Sequence, residues 1–409
     1  MTDRASPEPD VDGVATTAHT HTSHAVPPSV NAVAGRWLWG AVAVGALLTL
    51  LAAVLLWPAG DDESSDPLLL EADTISAHIV SIELLPCSYS PLDRCRWVEF
   101  EMSDGPFAGE LGAFEEATPD GFLDEGDDIL VTWFPTQSGQ PAFSFYDYQR
   151  SGAMIWLLAI FVVAVLLVGR WRGVGALGGL AFSLLVIVVF TLPAILDGSN
   201  TLTVALVSAS LIAFAALFLA HGFGLATAVA LVSTLASLLL TAVLAWAFVR
   251  TTHLTGLSDE TSVMLGGLAE GIDARGILLA GIVIGALGVL DDVTVTQVSA
   301  VWELKQVRPE MSMRELVAPA IRIGRDHISS TVNTLFLAYV GAALPLLLFF
   351  TEAGQSIRGA VTRELVATEV VRALVGSVGI IASVPIATWL AALVVSEPAG
   401  PPEPAPAAD

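Results

Sequence analysis

Charged side chains are scarce in this chain of 409 residues: Asp, Glu, Lys and Arg together make up 14% of it. A soluble globular protein carries about 25%, so the composition excludes an ordinary soluble protein. Apolar sequence takes the place of charge, with 54% hydrophobic residues and a mean hydropathy of +0.71. Runs of about twenty apolar residues recur, and a helix of that length spans roughly 30 Å of hydrocarbon. The composition therefore predicts an all-α polytopic membrane bundle.

Basic residues are scarcer still, with 17 Lys and Arg against 41 Asp and Glu and a net charge of −24. Residues 58–150 hold most of the excess, because they contain twenty acids and three arginines, a local charge of −17. Nucleic acid is excluded as a partner, since it requires a basic surface. Short β-rich stretches separated by turn sequences such as Pro-Asp-Gly also occur here. A small extracytoplasmic β-rich domain is predicted, either a sandwich or a barrel of OB-like type.

Cysteine is nearly absent, and both cysteines, Cys87 and Cys95, fall in this acidic stretch. Their spacing, with Pro91 between them, suits a small loop closed by a disulfide. Reduced thiols are an alternative, whereas a metal site needs more ligands than two thiols supply, and His78 is the only histidine nearby. A disulfide would place residues 58–150 outside the cytoplasm. The lack of Cys and the scarcity of His in the apolar runs argue against soft metal ions there.

The apolar runs organise the rest of the chain. The expected parts are a disordered cytoplasmic tail, a transmembrane signal anchor, a seven-helix membrane domain and a second disordered tail, at residues 1–35, 36–57, 151–396 and 397–409. About eight transmembrane helices are expected, at residues 37–56, 153–169, 174–195, 201–220, 223–249, 276–300, 328–350 and 370–395. Arg170, Arg172 and a basic segment at 305–325 mark the cytoplasmic side. Both termini are then cytoplasmic.

Two stretches are intermediate in polarity. Residues 250–275 are expected to form an interfacial or re-entrant segment on the outer side of the membrane. Residues 310–324 are expected to form an amphipathic cytoplasmic helix that is interrupted at Pro319.

The sixth apolar run carries a line of small and polar residues. Steps of three and four residues, which stay on one face of a helix, connect Gly281, Gly285, Gly288, Asp292, Thr296, Ser299 and Glu303. Asp291 lies one position aside, and large apolar residues occupy the opposite side, at Ile282, Val289, Val293 and Val301. Ionised carboxylates are costly in hydrocarbon. The line is therefore predicted to face neighbouring helices across a wet space, and the opposite side is predicted to face lipid.

The next two runs repeat this arrangement. In the seventh, Asp326 and Asn333 share one face, and Arg325 and His327 are placed where either could offset a carboxylate of the sixth run. In the eighth, the same spacing connects Glu369, Arg372, Gly376, Gly379 and Ser383. Such stripes are also how membrane helices pack, and helix packing is the role expected of Gly281, Gly285, Gly288, Gly376 and Gly379.

Two long stretches resemble the YibE/F-like family of bacterial membrane proteins. They are "GILLAGIVIGALGVLDDVTVTQVSAVWEL" and "IGRDHISSTVNTLFLAYVGAALPLL". Matching positions include Asp292 and Glu303 in the first, and Gly324, Arg325 and Asp326 in the second. The chain departs from the family pattern at Asp291, Thr296 and Ser330, where the family has an apolar residue, Ser and Gly. The resemblance implies a multi-pass membrane protein of a family described as permeases or uncharacterised membrane proteins, with no substrate named.

Two functions follow as hypotheses. The first is a permease for a small cation or a cation-coupled solute, with a polar path between the sixth and seventh helices. The path residues would be Asp291, Asp292, Thr296, Ser299, Glu303, Arg325, Asp326 and Asn333. The second is a non-transporting membrane scaffold that binds envelope or secretion components through its external domain. An intramembrane aspartyl protease needs two facing aspartates and is a minor third option. No catalytic residue, cofactor or metal site is expected, and the expected partners are the lipid bilayer, a small ion or solute, and a second copy or an envelope protein.

Overall fold

The computed structural model describes residues 31–58, 74–117, 121–136, 141–258 and 273–396. Residues 1–30 of the tail expected at 1–35, the tail expected at 397–409, and residues 259–272 of the intermediate stretch lie outside the described residues. Contacts divide the chain into two units. One consists of Leu56–Asp197 with Phe218–His221, and the other of the segment up to Leu55 with Gly198–Leu217 and the residues from Gly222 onwards.

The first unit contains one antiparallel sheet of five strands. The strands are β1 Thr74–Cys87, β2 Ser90–Met102, β3 Leu111–Glu116, β4 Asp128–Pro135 and β5 Pro141–Tyr148. Their order in the sheet is β3-β2-β1-β4-β5, so the long strand β1 lies at the centre and pairs with β2 and β4. All five strands lie within residues 58–150, and the prediction of a small β-rich domain there is confirmed.

The sheet curls around an aromatic and aliphatic core. Alternation along β1 turns Ile75, Ala77 and Ile79 inward, and a register shift after Ile79 bends the strand, as a β-bulge does. Phe114 of β3 and Phe145 of β5 belong to opposite edges of the sheet, yet their ring centroids lie 6.3 Å apart. A single sheet whose edges approach one another agrees with a barrel, one of the two folds expected from the sequence, rather than with a two-sheet sandwich.

The disulfide predicted from spacing is present. Cys87 at the end of β1 is bonded to Cys95 in β2, with the two Cα atoms 4.9 Å apart. The bond closes the turn between β1 and β2, and both cysteines are buried. In the next position, Arg96 pairs with Glu116 of β3 at 3.3 Å, and about 90% of each side chain is shielded from solvent (exposures of 11% and 12%).

Helices make up most of the remaining described chain. They are α1 Ala32–Leu55, α2 Ser151–Val186, α3 Leu192–Leu196, α4 Thr201–His221, α5 Leu225–Thr251, α6 Ala274–Val307, α7 Met313–Ala342, α8 Leu344–Glu352, α9 Ile357–Val361 and α10 Glu364–Val395. A π-helical turn, Ile187–Thr191, joins α2 to α3. α1 begins four residues before the predicted anchor, because the Asn31 side chain accepts hydrogen bonds from the amides of Val33 and Ala34 and so caps the helix.

Among the described residues, six helices are long and apolar enough to cross a membrane, and the bent pair α7–α8 is a seventh candidate. The longest of the six, Ser151–Leu196, has 46 residues, but Arg170 interrupts it with a φ of 51°. In an unbroken helix residues 165 and 173 would be about 12 Å apart. A Cβ on Gly173 would instead lie 2.5 Å from the Val165 carbonyl oxygen, so the chain reverses and the two arms correspond to the predicted spans 153–169 and 174–195.

The predicted boundary between a cytoplasmic helix at 310–324 and a span at 328–350 is wrong. α7 is continuous from Met313 to Ala342 and contains Pro319, and the break comes later, with a bend of 55° between α7 and α8. Pro345 explains the position of the bend, because proline donates no amide hydrogen bond and clashes with the carbonyl four residues earlier. The first turn of α7 is fixed by a capping box between Ser312 and Glu315.

The second unit has its core where α5, α6 and α10 pack together. Ala245 and Val249 of α5, Leu278 and Ile282 of α6, and Val375 of α10 belong to one buried cluster. Gly379 of α10 faces Thr241 of α5 so closely that a Cβ at position 379 would overlap the threonine hydroxyl. This supports the packing role predicted for Gly379.

Candidate functional site

The line of small and polar residues on α6, called the α6 stripe below, lies at the surface of the second unit and is not buried by neighbouring helices. All seven of its residues are exposed, from Gly281 to Glu303. The side predicted to face lipid is the packed one, since Ile282, Val293 and Val301 are at most 1% exposed. Asp292 is the clearest case, with 71% of its side chain exposed.

Two buried polar residues hold α6 in this orientation. Neither was among the site residues predicted from the sequence. Thr294 and Gln297 are 0% and 2% exposed, and they lie on the packed side. The hydroxyls of Thr294 and Thr234 of α5 are 2.6 Å apart. The Gln297 amide donates to the Ala320 carbonyl at 2.8 Å and to the Thr388 hydroxyl at 2.7 Å. One amide thus joins α6, α7 and α10.

Gly324, one of the family-motif positions, is required by this contact. A Cβ on Gly324 would lie 2.6 Å from the Gln297 side-chain oxygen and 2.6 Å from a methyl group of Val384. Both distances are shorter than van der Waals contact, so a larger residue would separate α7 from α6 and α10. The sequence signal for the contact was the glycine itself, at the start of the Gly-Arg-Asp motif.

Beyond Gly324, α7 runs beside the exposed stripe and forms a groove with it. His327 Nε2 lies 3.8 Å from the Asp292 carboxylate, as the sequence predicted for an offsetting group. About two helical turns before Asp292 on α6, a Cβ on Gly285 would lie 3.5 Å from the Tyr339 hydroxyl. Gly288 has no other group within 4 Å of its Cβ position. The glycines therefore leave the groove open instead of packing it shut.

The other end of the groove is lined by α10. Arg372 pairs with Glu369 at 2.9 Å, and its guanidinium lies 6.0 Å from the centroid of the Tyr339 ring. A Cβ on Gly281 would be 3.8 Å from Arg372 Nη2. The groove, called the α6–α7 groove below, thus runs from Asp292 and His327 past Tyr339 to the Glu369–Arg372 pair.

The remaining predicted path residues are only partly brought together. Arg325, Asp326 and Asn333 are exposed on α7, and no hydrogen bond or ion pair joins Asp326 or Asn333 to α6 within the described ranges. Asp291 is half-buried, and its Oδ1 has no hydrogen-bond partner in the described part of the chain. The groove offers carboxylate, imidazole and phenol groups, which bind or exchange protons and small cations.

One cluster of three metal-ligand residues occurs among the described residues, in the β domain. It consists of Cys87, Cys95 and Glu115. Both sulfur atoms are already bonded to each other, so they are not available as thiolates.

The chain was compared with known families, curated proteins and solved structures. A family model described as "YibE/F-like protein" matches residues 157–397, more than half of the chain. No curated protein and no solved structure matches the chain.

Proposed function

The chain belongs to the YibE/F-like family, and from that premise we propose that it is a membrane permease whose α6–α7 groove conducts a small cation or a cation-coupled solute. The family and the long apolar helices together suggest a membrane protein. The proposal assigns no catalytic residue and no cofactor.

The observation that carries the proposal is the line of ionisable groups along the groove. Asp292, His327, Glu369 and Arg372 all belong to helices that are otherwise apolar enough to lie in a bilayer. Ionisable groups at such positions are expensive and are retained where they face water, an ion or another protein group. Carboxylate and hydroxyl oxygens suit hard cations such as Na⁺, Mg²⁺ or Ca²⁺, and a proton equally.

The proposed orientation follows from charge. Arg170, Arg172 and the basic segment at 305–325 are assigned to the cytoplasmic side, which leaves the disulfide-bonded β domain outside the cell, where disulfides persist. Both termini are then cytoplasmic.

The outer side of the groove is open in the single chain, because Asp292 and the stripe glycines are exposed. An uncovered carboxylate against lipid tails would cost several kcal/mol, roughly 3 or more. A second copy of the chain or an envelope protein is therefore proposed to cover this side in the membrane.

The experiment is cation flux into proteoliposomes that contain the purified protein. Asp292→Asn keeps the shape of the side chain and removes its charge, so it is expected to abolish cation-dependent flux while the thermal unfolding profile in detergent stays that of the native protein. Glu310→Gln is the matched control, because Glu310 is an exposed acid between α6 and α7, outside the groove, and its removal should leave flux unchanged.

Native flux in a well-folded Asp292→Asn variant would place transport elsewhere or show that this groove takes no part in it. A protein that moves none of H⁺, Na⁺, Mg²⁺ and Ca²⁺ would refute cation transport itself.

The alternative function is a scaffold that binds an envelope protein, and it is favoured by apolar side chains on the surface of the β domain. Leu92, Leu111 and Phe122 are 95%, 69% and 69% exposed, so each side chain is accessible to a partner. A photo-crosslinking residue at position 92 would capture one defined envelope protein, and the same residue at the exposed Ser103 would not. Capture at 92 together with unchanged cellular function of Asp292→Asn would favour the scaffold.

A further inference from the structure

A second feature of α7 lies outside the groove and on its first half. Arg314, Arg322 and Arg325 project from one side of this helix, at spacings of eight and three residues that keep them within about a quarter turn of that side. All three are exposed. None of them forms an ion pair with a carboxylate in the part of the chain that the structure describes.

The three arginines surround a cavity between α7 and the end of α10. The cavity has a volume of about 560 Å³, and Val317, Ile321 and Trp389 line it together with the arginines. Trp389 belongs to the last two turns of α10 and is 48% exposed. The cavity therefore combines three unpaired positive charges with an apolar wall.

The acidic groups nearest in sequence do not neutralise this cavity. Glu315 is occupied by the capping box, where it accepts hydrogen bonds from the amide and the hydroxyl of Ser312 at 2.8 Å. Asp326 follows Arg325 directly, and it is absent from the residues that line the cavity. In a chain with a net charge of −24, such a concentration of unpaired arginines needs an anionic ligand or solvent to balance it.

We propose that this cavity, called the arginine cavity, binds the phosphate headgroup of an anionic phospholipid from the cytoplasmic leaflet. The guanidinium groups donate hydrogen bonds to phosphate oxygens, for which their planar fork is well suited. Trp389, Val317 and Ile321 contact the glycerol and the first acyl carbons, in the way that interfacial aromatics do. Basic pockets between helices on the cytoplasmic side are a general form of lipid recognition. The apolar wall favours a lipid over free phosphate, because inorganic phosphate has no apolar part that could contact this wall.

The inference depends on the membrane orientation proposed above but not on cation transport, and its test is independent of flux. The purified full-length protein is titrated in detergent with phosphatidylglycerol and, separately, with phosphatidylcholine, and bound lipid is counted by native mass spectrometry. We expect phosphatidylglycerol to bind at least about tenfold more tightly than phosphatidylcholine.

The matched variants remove equal charge inside and outside the cavity. The triple variant Arg314→Gln, Arg322→Gln, Arg325→Gln is expected to lose the preference for phosphatidylglycerol. The control triple Arg170→Gln, Arg172→Gln, Arg308→Gln removes three exposed arginines that do not line the cavity and should keep the preference. Thermal unfolding in detergent without added lipid verifies that both variants are folded.

Two results would overturn the inference. Equal preference for phosphatidylglycerol in the two triple variants would mean that diffuse charge, and not the cavity, attracts the lipid. Displacement of bound phosphatidylglycerol by inorganic phosphate at a similar concentration would assign the site to a free anion. Trp389→Ala separates the sources further, since it should weaken lipid binding and leave any phosphate binding unchanged.

Discussion

The glycines of α6 and α10 provide the most direct test of how α6 is rotated in the bundle. Gly379→Ala would place a methyl group on the Thr241 hydroxyl and 3.3 Å from the Thr241 Cβ. Overpacking of this kind costs about 1 to 3 kcal/mol. Replacing glycine by alanine inside a helix returns about 0.5 to 1 kcal/mol. The net loss of unfolding free energy is therefore expected to be up to about 2.5 kcal/mol.

Gly288→Ala is the matched control on α6. Nothing lies within 4 Å of its Cβ position, so only the gain in helix propensity applies, and stability should stay constant or rise by up to about 1 kcal/mol. The assay is unfolding by sodium dodecyl sulfate in mixed micelles, followed by fluorescence of the ten tryptophans.

A double-variant cycle identifies the contact itself. Thr241→Ala removes the hydroxyl that would clash with a methyl group at position 379. It also removes one hydrogen bond, from that hydroxyl to the Ser237 carbonyl. The double variant Thr241→Ala with Gly379→Ala should have an unfolding free energy about 0.5 to 3 kcal/mol higher than the sum of the two single changes predicts. Equal destabilisation by Gly288→Ala and Gly379→Ala would refute the placement, because it would put the stripe of α6 against a neighbour as firmly as Gly379 is against α5.

Two further predictions concern a buried amide and the disulfide. Gln297→Met keeps the side-chain volume and loses the hydrogen bonds to Ala320 and Thr388. It should lower the free energy of unfolding in micelles by about 1 to 2 kcal/mol. An unchanged free energy of unfolding would show that this amide does not join the three helices. Cys87→Ser with Cys95→Ser opens a short loop, for which chain entropy gives a loss of about 2 to 3 kcal/mol; limited proteolysis of the full chain should then cut the β domain faster than the native protein, and reduction of the native protein should reproduce the effect.

The parts of the fold that could be predicted are those that depend on local sequence. Apolar length located the long helices, and β-rich stretches between turn sequences located the β domain. Apolar length and charge also placed a turn at Arg170, between the predicted spans 153–169 and 174–195, but not its positive φ, which is uncommon for a residue other than glycine. The continuity of α7 through Pro319 was also missed, because a proline within a helix usually marks a boundary.

The rotation of α6 could not be predicted for a physical reason. Lipid tails are as apolar as a protein core, so a row of valines can face either one. Both faces of α6 carry polar groups, and the decision between them depends on partners that are distant in sequence. Thr294 and Gln297 find Thr234 and Thr388, whereas Thr296 and Ser299 remain exposed. The sequence did indicate that His327 could offset a carboxylate of α6, and His327 lies 3.8 Å from Asp292, because the two residues belong to consecutive helices.

Lys305 is the only lysine of the chain, and it is 5% exposed at the end of α6. Its ammonium group donates to the Met311 carbonyl at 2.9 Å, which ties the end of α6 to the residues leading into α7. Apart from the N-terminal amine, the chain thus has one site for acylating reagents, and that site is shielded while the turn is closed. Modification of this single amine would report when the turn between α6 and α7 opens, without any label having to be engineered into the protein.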